Sequence, residues 1–335
     1  MRILGKYFGV FWLTLSAIVF ASVLIPPTLF QYASIMSFAI PVIIGLSMIM
    51  LLLTIFFKSR HWYFYLIVLL IAWPFYSLTV QFNKGSNAKE SGNFSLLSYN
   101  VKWFTEAKEN NYEDIINWII DQKADFMCFQ EYYPERKISE RIIDRGGYYD
   151  ATDKKRYNVA IFSKYPIIDK GLLLGDDKLN NILYADVKYQ SDTIRLYSIH
   201  LESMGINPDK LQDRQGIRNE YDDVKFRLLS GSRTRSEQVD LLLQHVQSSP
   251  YPVVLAGDFN DIPFSHNYFT LKKSLKNAFE EKGRGFGVTY NGKIPFLRID
   301  NQFFGDGLEI LQFHTINNVY YSDHYPLLGN YRMTD

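Results

Sequence analysis

The chain has 335 residues and a nearly balanced charge, with 36 lysine and arginine residues against 35 aspartate and glutamate residues. This balance argues against a strongly basic protein that binds nucleic acid non-specifically. The single cysteine, Cys128, excludes a disulfide bond within the chain. The charges are unevenly distributed, because residues 1–83 contain four basic residues and no acidic residue. The sequence therefore divides into an apolar N-terminal region and a charged region of about 250 residues, which suffices for one large domain.

The N-terminal region contains three uncharged apolar runs, residues 7–25, 37–57 and 62–82. About 20 apolar residues cross a bilayer as a helix, and aromatic residues at the ends of such runs are typical of membrane interfaces. We therefore predict three transmembrane helices. A cleaved signal peptide is the alternative for the first run, because Arg2 and Lys6 resemble its basic start, but the run is long and no small-x-small cleavage site follows it.

The basic residues of this region predict its orientation. They lie in the N-terminal tail and in the loop of residues 58–61, whereas the loop of residues 26–36 has none. Cytoplasmic loops carry the excess of lysine and arginine. We predict an integral inner or plasma membrane protein whose N-terminus is cytoplasmic. The region after the third helix is then extracytoplasmic, which means periplasmic in a Gram-negative cell.

Residues 84–93 are polar and contain two glycines and two serines, which predicts a linker between the membrane anchor, residues 1–83, and a second domain, residues 94–335. The predicted strands of this domain are residues 94–101, 125–130, 159–163, 184–189, 193–201, 253–256, 287–290, 299–304, 311–314 and one from residue 326, and the predicted helices are residues 112–123, 220–229 and 235–247. This alternation favours an α/β (α+β) fold of two sheets with helices outside them. Cys128 lies in one of the apolar runs, so we predict a core residue rather than a nucleophile.

The segment of residues 202–233 is long, polar and charged, which is unusual inside a compact domain. It could be a lid over a site or an element that faces the membrane. A solvated insertion is the simplest interpretation, and it is the one that we favour from the sequence.

Residues that can bind metal ions or transfer protons stand at the ends of six predicted strands. They are Asn100, Glu131, His200, Asp258 with Asn260, Asp300, and Asp323 with His324. One acidic residue at a strand end is usually a cap or a surface charge, but six strand ends with the same chemistry indicate a common site. Oxygen ligands without cysteine suit Mg²⁺ or Mn²⁺ rather than zinc. Two histidines near acidic residues can transfer protons and stabilise negative charge.

Six short motifs in this order carry a family resemblance. They are Tyr-Asn-Val at 99–101, Phe-Gln-Glu at 129–131, Ser-Ile-His-Leu at 198–201, Gly-Asp-Phe-Asn at 257–260, Arg-Ile-Asp at 298–300 and Ser-Asp-His at 322–324. With them the sequence resembles the endonuclease/exonuclease/phosphatase superfamily, which includes DNase I, abasic-site endonucleases, neutral sphingomyelinases and inositol-polyphosphate 5-phosphatases. The resemblance covers residues 94–332. It implies a DNase I-like four-layer α/β sandwich with the site where the two sheets meet at one edge.

The resemblance also implies a metal site and a residue that activates water. Glu131 would be the principal Mg²⁺ or Mn²⁺ ligand, with Asn100 beside it and Asp323 as a further ligand or as its hydrogen-bond partner. Asp258 would orient or deprotonate the attacking water, and Asn260 would hold this water or a phosphate oxygen.

Two histidines complete the catalytic set that the resemblance implies. His324, held by Asp300, would bind the scissile phosphate and stabilise the transition state. His200 matches the histidine that serves the leaving oxygen in the DNase I and sphingomyelinase branches, whereas abasic-site enzymes generally have tyrosine there. Asn301 departs from the family pattern, in which an aromatic residue commonly follows the aspartate, and this departure does not affect Asp300.

The sequence thus predicts a membrane-anchored, Mg²⁺- or Mn²⁺-dependent phosphodiesterase, most simply of the nuclease type. The head group of a phospholipid or of sphingomyelin is the alternative substrate, because the anchor holds the site near a bilayer, and a phosphatase activity also stays open. A catalytically inactive binding module is a third reading, against which the complete set of residues argues.

Overall fold

The computed structural model describes residues 2–83, 93–107, 112–132, 136–151, 158–175, 178–204, 214–292 and 296–334. The chain forms two compact units. The first consists of Met1–Val80, Met204–Glu237 and Asp261–Thr270, and the second consists of Gln81–Ser203, Gln238–Asn260 and Leu271–Asp335. The predicted linker lies outside the described residues except for its last residue, Asn93, and the assignment of residues 94–335 as one catalytic domain stays a prediction.

The first unit begins with helices α1 (Arg2–Ala21), α2 (Tyr32–Ser37), α3 (Ile40–Phe56), α4 (Trp62–Ile71) and α5 (Trp73–Thr79). Two stretches, Gly5–Leu24 and Tyr32–Phe56, are long and apolar enough to cross a membrane. Helices α4 and α5 would make a third span if the bent pair counts as one, and the bend between them is 63°. Two of the three predicted helices are therefore supported directly by length and composition.

The third predicted helix, residues 62–82, is wrong as a continuous element. The helix is interrupted at Ala72, and Pro74 lies in the first turn of α5. A proline inside a helix lacks the N–H that would bond one turn back, and its ring clashes with the preceding turn. Gln81 and Phe82 are not helical either, because they form a short strand.

The segment of residues 202–233 is helical from residue 214 onward, which confirms the helix predicted at residues 220–229; residues 205–213 lie outside the described residues. The interpretation as a solvated insertion is wrong for the end of the segment, where Leu229 and Ser232 are buried. The Ser34 hydroxyl donates a hydrogen bond of 3.0 Å to the Ser232 hydroxyl, and Nζ of Lys225 lies 5.5 Å from the centroid of the Tyr32 ring. This helix therefore packs on the chain at the start of the second apolar stretch.

Residues 261–270 also belong to the first unit. The rings of Phe75 and Phe264 lie 6.2 Å apart between their centroids, and Nδ1 of His266 lies 3.0 Å from the carbonyl oxygen of Val23. The first unit thus combines the apolar helices with two segments from the charged part of the sequence.

The chain continues with β1 (Gln81–Phe82), β2 (Asn93–Asn100), α6 (Tyr112–Asp121), β3 (Phe126–Gln130), α7 (Arg136–Gly146), β4 (Tyr149–Asp150), β5 (Val159–Ser163), β6 (Ile167–Leu172), β7 (Ile182–Tyr189), β8 (Asp192–His200), α8 (Arg214–Gln247), β9 (Val253–Asp258), α9 (His266–Leu271), β10 (Lys276–Asn277), α10 (Ala278–Lys282), β11 (Arg284–Gly285), β12 (Asp300–Phe304), β13 (Leu308–Thr315) and β14 (Leu327–Met333). The described part of the second unit contains two six-stranded sheets, in the orders β10-β12-β9-β8-β7-β6 and β13-β14-β2-β3-β5-β4, and β1 pairs with β11.

The two large sheets are apolar on both faces because successive side chains of a strand point in opposite directions. In β2, Phe94 and Leu96 belong to the cluster between the sheets, whereas Leu97 joins a second cluster with side chains of α6 and α7. On the other sheet, the Tyr197 hydroxyl lies 2.8 Å from Nδ1 of His245, near the end of α8. Helices thus cover the outer faces, and the predicted DNase I-like sandwich is confirmed.

Cys128 lies in the cluster between the sheets, as predicted for a core residue. The predicted strand at residues 287–290 is wrong, since this stretch makes a single bridge between Tyr290 and His324. Its backbone bonds instead to loop residues, with the amide of Thr289 donating to the carbonyl of Leu297 over 2.9 Å.

Candidate active site

The strand register brings the predicted site residues of the second unit together at one edge. Strands β8 and β9 are parallel and place His200 opposite Asp258, and β12 runs antiparallel to β9 with Asp300 opposite Asp258. In the other sheet, parallel β2 and β3 place Asn100 opposite Gln130. The carboxyl ends of parallel strands meet at one edge, where α/β sheets commonly bind ligands.

Asp300 holds His324 in place. The Nδ1–H group of His324 donates to both carboxylate oxygens of Asp300, over 2.9 and 3.1 Å. The Thr289 hydroxyl in turn accepts hydrogen bonds from the amides of Ile299 and Asp300, each over 3.0 Å. Burial alone would lower the pKa of His324, but the charge and hydrogen bond of Asp300, with the charges of Asp258 and other carboxylates, raise this pKa to about 10. His324 is therefore a cation at neutral pH.

His200 is buried at the same site but has a different charge state from His324. Its Nε2 lies 3.9 Å from Oε1 of Glu131 and 3.9 Å from Oδ2 of Asp258. Burial and the positive charge of His324 lower the pKa of His200 to about 3. His200 is therefore neutral, and it acts on its neighbours as a hydrogen-bonding group rather than as a cation.

Asp258 stands between the two imidazoles. Its side chain is buried, and its Oδ2 lies 3.9 Å from Nε2 of each histidine. Burial and the negative charge of Asp300 raise the pKa of Asp258 to about 7, although the charge of His324 and a hydrogen bond from the Asn260 amide oppose the shift. A carboxylate with this pKa can accept a proton near neutral pH, as a general base must.

Asn260 has a strained backbone, with φ at +50°, a conformation that non-glycine residues seldom adopt. Its amide donates to Oδ1 of Asp258 over 2.8 Å, and its side-chain nitrogen donates to the carbonyl of Leu201 over 3.1 Å. These bonds hold the Gly-Asp-Phe-Asn turn against the end of β8. Strain of this kind often marks functional sites.

Asn100 connects the two sheets through its amide. Its Nδ2 donates to Oε1 of Glu131 over 3.2 Å and to Oδ2 of Asp258 over 3.1 Å. Burial raises the pKa of Glu131, while the hydrogen bond from Asn100 and the charges of His324 and Lys102 act to lower it. Glu131 has a φ of +47°, so it is a second strained residue at the site.

Asp323 lies at the more exposed rim. Its Oδ2 forms an ion pair with Nζ of Lys102 over 3.1 Å. The hydroxyl of the adjacent Ser322 donates a hydrogen bond to the carbonyl of Asn100 over 2.7 Å. With Asp323, the structure brings all eight predicted site residues to one edge of the sandwich.

Two residues of the site were not predicted from the sequence, Lys102 and Asn158. Lys102 follows Asn100 by two positions. A single lysine in a charged region does not indicate a functional site. Asn158 lies directly before β5, and its Nδ2 lies 2.7 Å from Nδ1 of His200. Asn158 precedes a strand, whereas the predicted residues of β2, β3, β8 and β9 lie at or directly after the ends of theirs. Because β5 runs antiparallel to β3, the start of β5 lies at the edge where β3 ends.

The donor chemistry of the site fits a hard divalent cation. The carboxylates of Glu131, Asp258 and Asp323 offer oxygen atoms that could bind a metal ion, and the single cysteine, Cys128, is buried between the sheets. This composition suits Mg²⁺ or Mn²⁺ better than zinc. Among the described residues, Asp258, Asp300 and His324 also present possible ligand atoms within 4.8 Å of one another.

Asn100 and Asp323 have other contacts in this structure. The amide nitrogen of Asn100 faces the carboxylates, and its oxygen accepts a hydrogen bond from the Lys102 amide. Asp323 pairs with the side chain of Lys102. The ligand set Asn100, Glu131 and Asp323 stays a prediction.

A family model described as "Endonuclease/Exonuclease/phosphatase family" matches residues 97–324. This match covers more than half of the chain, and the protein belongs to this family. The membership supports phosphoester hydrolysis. A search of curated proteins finds no match.

Several solved structures share the fold. TDP2 of D. rerio complexed with a single-strand DNA product has a TM-score of 0.54 and 17% identity, with 73% of this chain and 100% of that chain covered. An endonuclease/exonuclease/phosphatase from Bacteroides vulgatus has a TM-score of 0.54 and 15% identity, with 72% and 99% covered. The human Nocturnin catalytic domain with bound sulfate has a TM-score of 0.52 and 15% identity, with 73% and 95% covered.

Proposed function

We propose that this protein is a membrane-anchored, divalent-metal-dependent phosphodiesterase of the nuclease type. The observation that carries this proposal is the position of Asp258 between a neutral and a cationic imidazole, with Oδ2 3.9 Å from each Nε2. Such a cluster offers a base, a donor and a fixed positive charge around one point. Each of these three functions accelerates the in-line attack of water on a phosphoester.

Each side chain then has a role that follows from its protonation state. Asp258, with a pKa near neutrality, orients water and takes its proton. His324 is cationic and stabilises negative charge on the phosphate oxygens, while Asp300 holds its ring. His200 donates a hydrogen bond to the leaving oxygen, and Asn260 holds the water or a phosphate oxygen.

A divalent cation bound through Glu131, with Asn100 and Asp323 as further predicted ligands, would neutralise the charge that develops on the phosphate. The protein positions these groups before the reaction, so little reorganisation is needed during it. Nuclease chemistry is the preferred form because the structural relatives include a protein complexed with a DNA product.

The membrane anchor supports a second candidate substrate, a lipid head group. A substrate in the bilayer would be close to such an anchor. In this proposal the N-terminus is cytoplasmic and the catalytic residues act outside the cytoplasm.

The test is hydrolysis by the purified full-length protein in detergent micelles. Single- and double-stranded DNA, RNA, sphingomyelin and phosphoinositides are each offered with Mg²⁺, with Mn²⁺ or with EDTA. Metal-dependent cleavage of DNA or RNA that is lost in His324→Ala supports the nuclease. Release of a lipid head group alone supports the second candidate, and the absence of turnover on every substrate with either metal contradicts the phosphodiesterase.

A further inference from the structure

Asn158 is a buried asparagine next to the candidate active site. Its amide nitrogen lies 2.7 Å from Nδ1 of His200, and the same nitrogen donates a hydrogen bond to the carbonyl oxygen of Leu179. The amide of Tyr132 donates to the backbone carbonyl of Asn158 over 3.2 Å, which fixes the main chain at this position.

The carbonyl of Leu179 decides how the Asn158 amide is oriented. A carbonyl oxygen only accepts hydrogen bonds, so the atom that faces it must be the amide nitrogen; the opposite orientation would set two oxygens against each other. The oxygen of Asn158 is buried and has no hydrogen-bond partner among the described residues. An unpaired buried acceptor is unfavourable, so the two donor contacts of the nitrogen must outweigh it.

This orientation also fixes the proton of His200. A neutral imidazole has one nitrogen that donates and one that accepts. Because the Asn158 nitrogen donates to Nδ1, the His200 proton must lie on Nε2. Nε2 is the atom that faces the site, at 3.9 Å from the nearest oxygens of Glu131 and Asp258. At this distance neither carboxylate accepts a hydrogen bond from Nε2–H.

We propose that Asn158 is a positioning residue that holds His200 as the Nε2–H tautomer, so that His200 can donate a hydrogen bond to the leaving oxygen of the substrate. The inference rests on the proposed function, because the leaving oxygen belongs to a phosphodiester. The other tautomer would present a lone pair to the leaving oxygen and repel it.

The leaving group provides the first test. Thymidine 5′-(p-nitrophenyl phosphate) and the dinucleotide thymidylyl-thymidine carry the same thymidine 5′-phosphoryl group, but the first releases a weakly basic nitrophenolate and the second a strongly basic alkoxide. Only the alkoxide needs a donor. In the full-length protein, Asn158→Leu should lower kcat/KM for the dinucleotide on the order of 100-fold, and that for the nitrophenyl ester by less than about threefold. Equal losses on both substrates would overturn the proposal.

Two further variants separate positioning from packing. Asn277 is another buried asparagine, whose side-chain nitrogen donates to Oδ1 of Asn301 over 3.2 Å. Asn277→Leu should change both rates by the same factor. In a His200→Ala background, Asn158→Leu should no longer alter the ratio of the two rates, because the group that it positions is absent. A ratio that still changes would contradict action through His200.

The ring of His200 provides a readout that needs no turnover. Nitrogen NMR of the full-length protein with labelled histidine distinguishes the tautomers. We expect a proton on Nε2 in the wild type and a mixture of tautomers in Asn158→Leu; a proton on Nδ1 in the wild type would overturn the proposal. If the wild type cleaves neither ester with Mg²⁺ or Mn²⁺, the proposed nuclease fails, and the tautomer measurement still decides the role of Asn158.

Discussion

The two histidines of the site are both buried and differ in charge, because Asp300 stabilises the cationic form of His324, whereas burial and the charge of His324 keep His200 neutral. The ring of His324 donates to a carboxylate, Asp300, which stabilises the imidazolium. The ring of His200 accepts from an amide, Asn158, which requires a neutral ring. Two residues of one type thus acquire different functions through their surroundings, and Oδ2 of Asp258 lies 3.9 Å from Nε2 of both.

The rate should depend on pH in a bell-shaped manner. Asp258 must be ionised to accept a proton, so kcat should rise as the pH passes about 7. His324 must stay protonated to stabilise the phosphate, so kcat should fall as the pH passes about 10. Turnover of a nitrophenyl phosphodiester from pH 5 to 11 would measure both limbs. A rate that still rises beyond pH 10 would contradict the role of protonated His324.

Asp300→Asn should move the alkaline limb to lower pH. The variant removes the negative charge that raises the pKa of His324 most strongly, and the positive charge of the buried ring then becomes less favourable. We also expect kcat at neutral pH to fall on the order of 100-fold. Asp306→Asn, at an exposed turn, is the control and should leave the profile unchanged. An unchanged alkaline limb in Asp300→Asn would show that Asp300 does not set the charge of His324.

Much of the site could be predicted at this scale, because its residues lie in short motifs. Asp258 and Asn260 stand two apart on one turn, and Asp323 precedes His324 directly. The charge states could not be predicted, since they depend on burial and on partners distant in sequence. Asn158 lies 42 residues from His200, and only the antiparallel direction of β5 brings them together.

At the scale of elements, one glycine allows β8 and β9 to carry the site. Gly257 has a φ of +148°, and a Cβ atom built there would lie 2.1 Å from the carbonyl oxygen of Ile199, a neighbour in the parallel pair. The backbone therefore approaches at Gly257 more closely than any side chain permits.

Gly257→Ala should destabilise the protein by more than about 2 kcal/mol, because the clash is with backbone atoms that cannot move away cheaply. Thermal unfolding of the full-length protein would measure the loss. Gly285→Ala is the matched control, since its φ is +72° and a Cβ there meets no atom within 4 Å. The control should lose less stability than Gly257→Ala. Equal losses of stability would show that a positive φ, and not the contact with Ile199, explains why glycine is needed at position 257.

The predicted elements succeed where a strand is buried on both faces. β3 and β5 are fully buried and apolar except for Gln130 and Ser163 at their ends, and they were predicted almost to the residue. β6 was missed because its middle, with Asp169 and Lys170, is exposed and carries no apolar signal. α7 was missed for a related reason, since charged residues make up much of its sequence. The break before Pro74 was missed because membrane helices tolerate proline, so this residue alone does not predict a break.

At the scale of the whole molecule, the chain joins a set of apolar helices to a phosphoester hydrolase fold. The sandwich could be predicted from the sequence, because motif order is a property of long stretches, whereas the division at residue 83 stays a prediction. The sequence could not assign residues 204–237 and 261–270 to the unit of the apolar helices. That assignment depends on contacts between segments far apart in the chain, such as the one between Ser34 and Ser232.

We expect the protein to be integral to the membrane with its C-terminus outside the cytoplasm. The reason is the position of the four basic residues among the N-terminal helices. Alkaline phosphatase fused to the C-terminus should be active in a bacterial host, and the fusion should stay in the membrane fraction after a carbonate wash. A fusion after residue 60 should be inactive, as the control. An active fusion after residue 60 together with an inactive C-terminal fusion would show that the orientation is the reverse of the predicted one.

The most direct test of the central claim is the metal dependence of phosphodiester cleavage by the full-length protein. Bis(p-nitrophenyl) phosphate serves as the substrate, with Mg²⁺, with EDTA, and with Mg²⁺ restored after EDTA; Glu131→Gln is measured beside the wild type. We predict turnover with Mg²⁺ that EDTA abolishes, that added Mg²⁺ restores, and that falls at least about 100-fold in Glu131→Gln. Turnover that is indifferent both to EDTA and to the loss of the Glu131 charge would contradict the account.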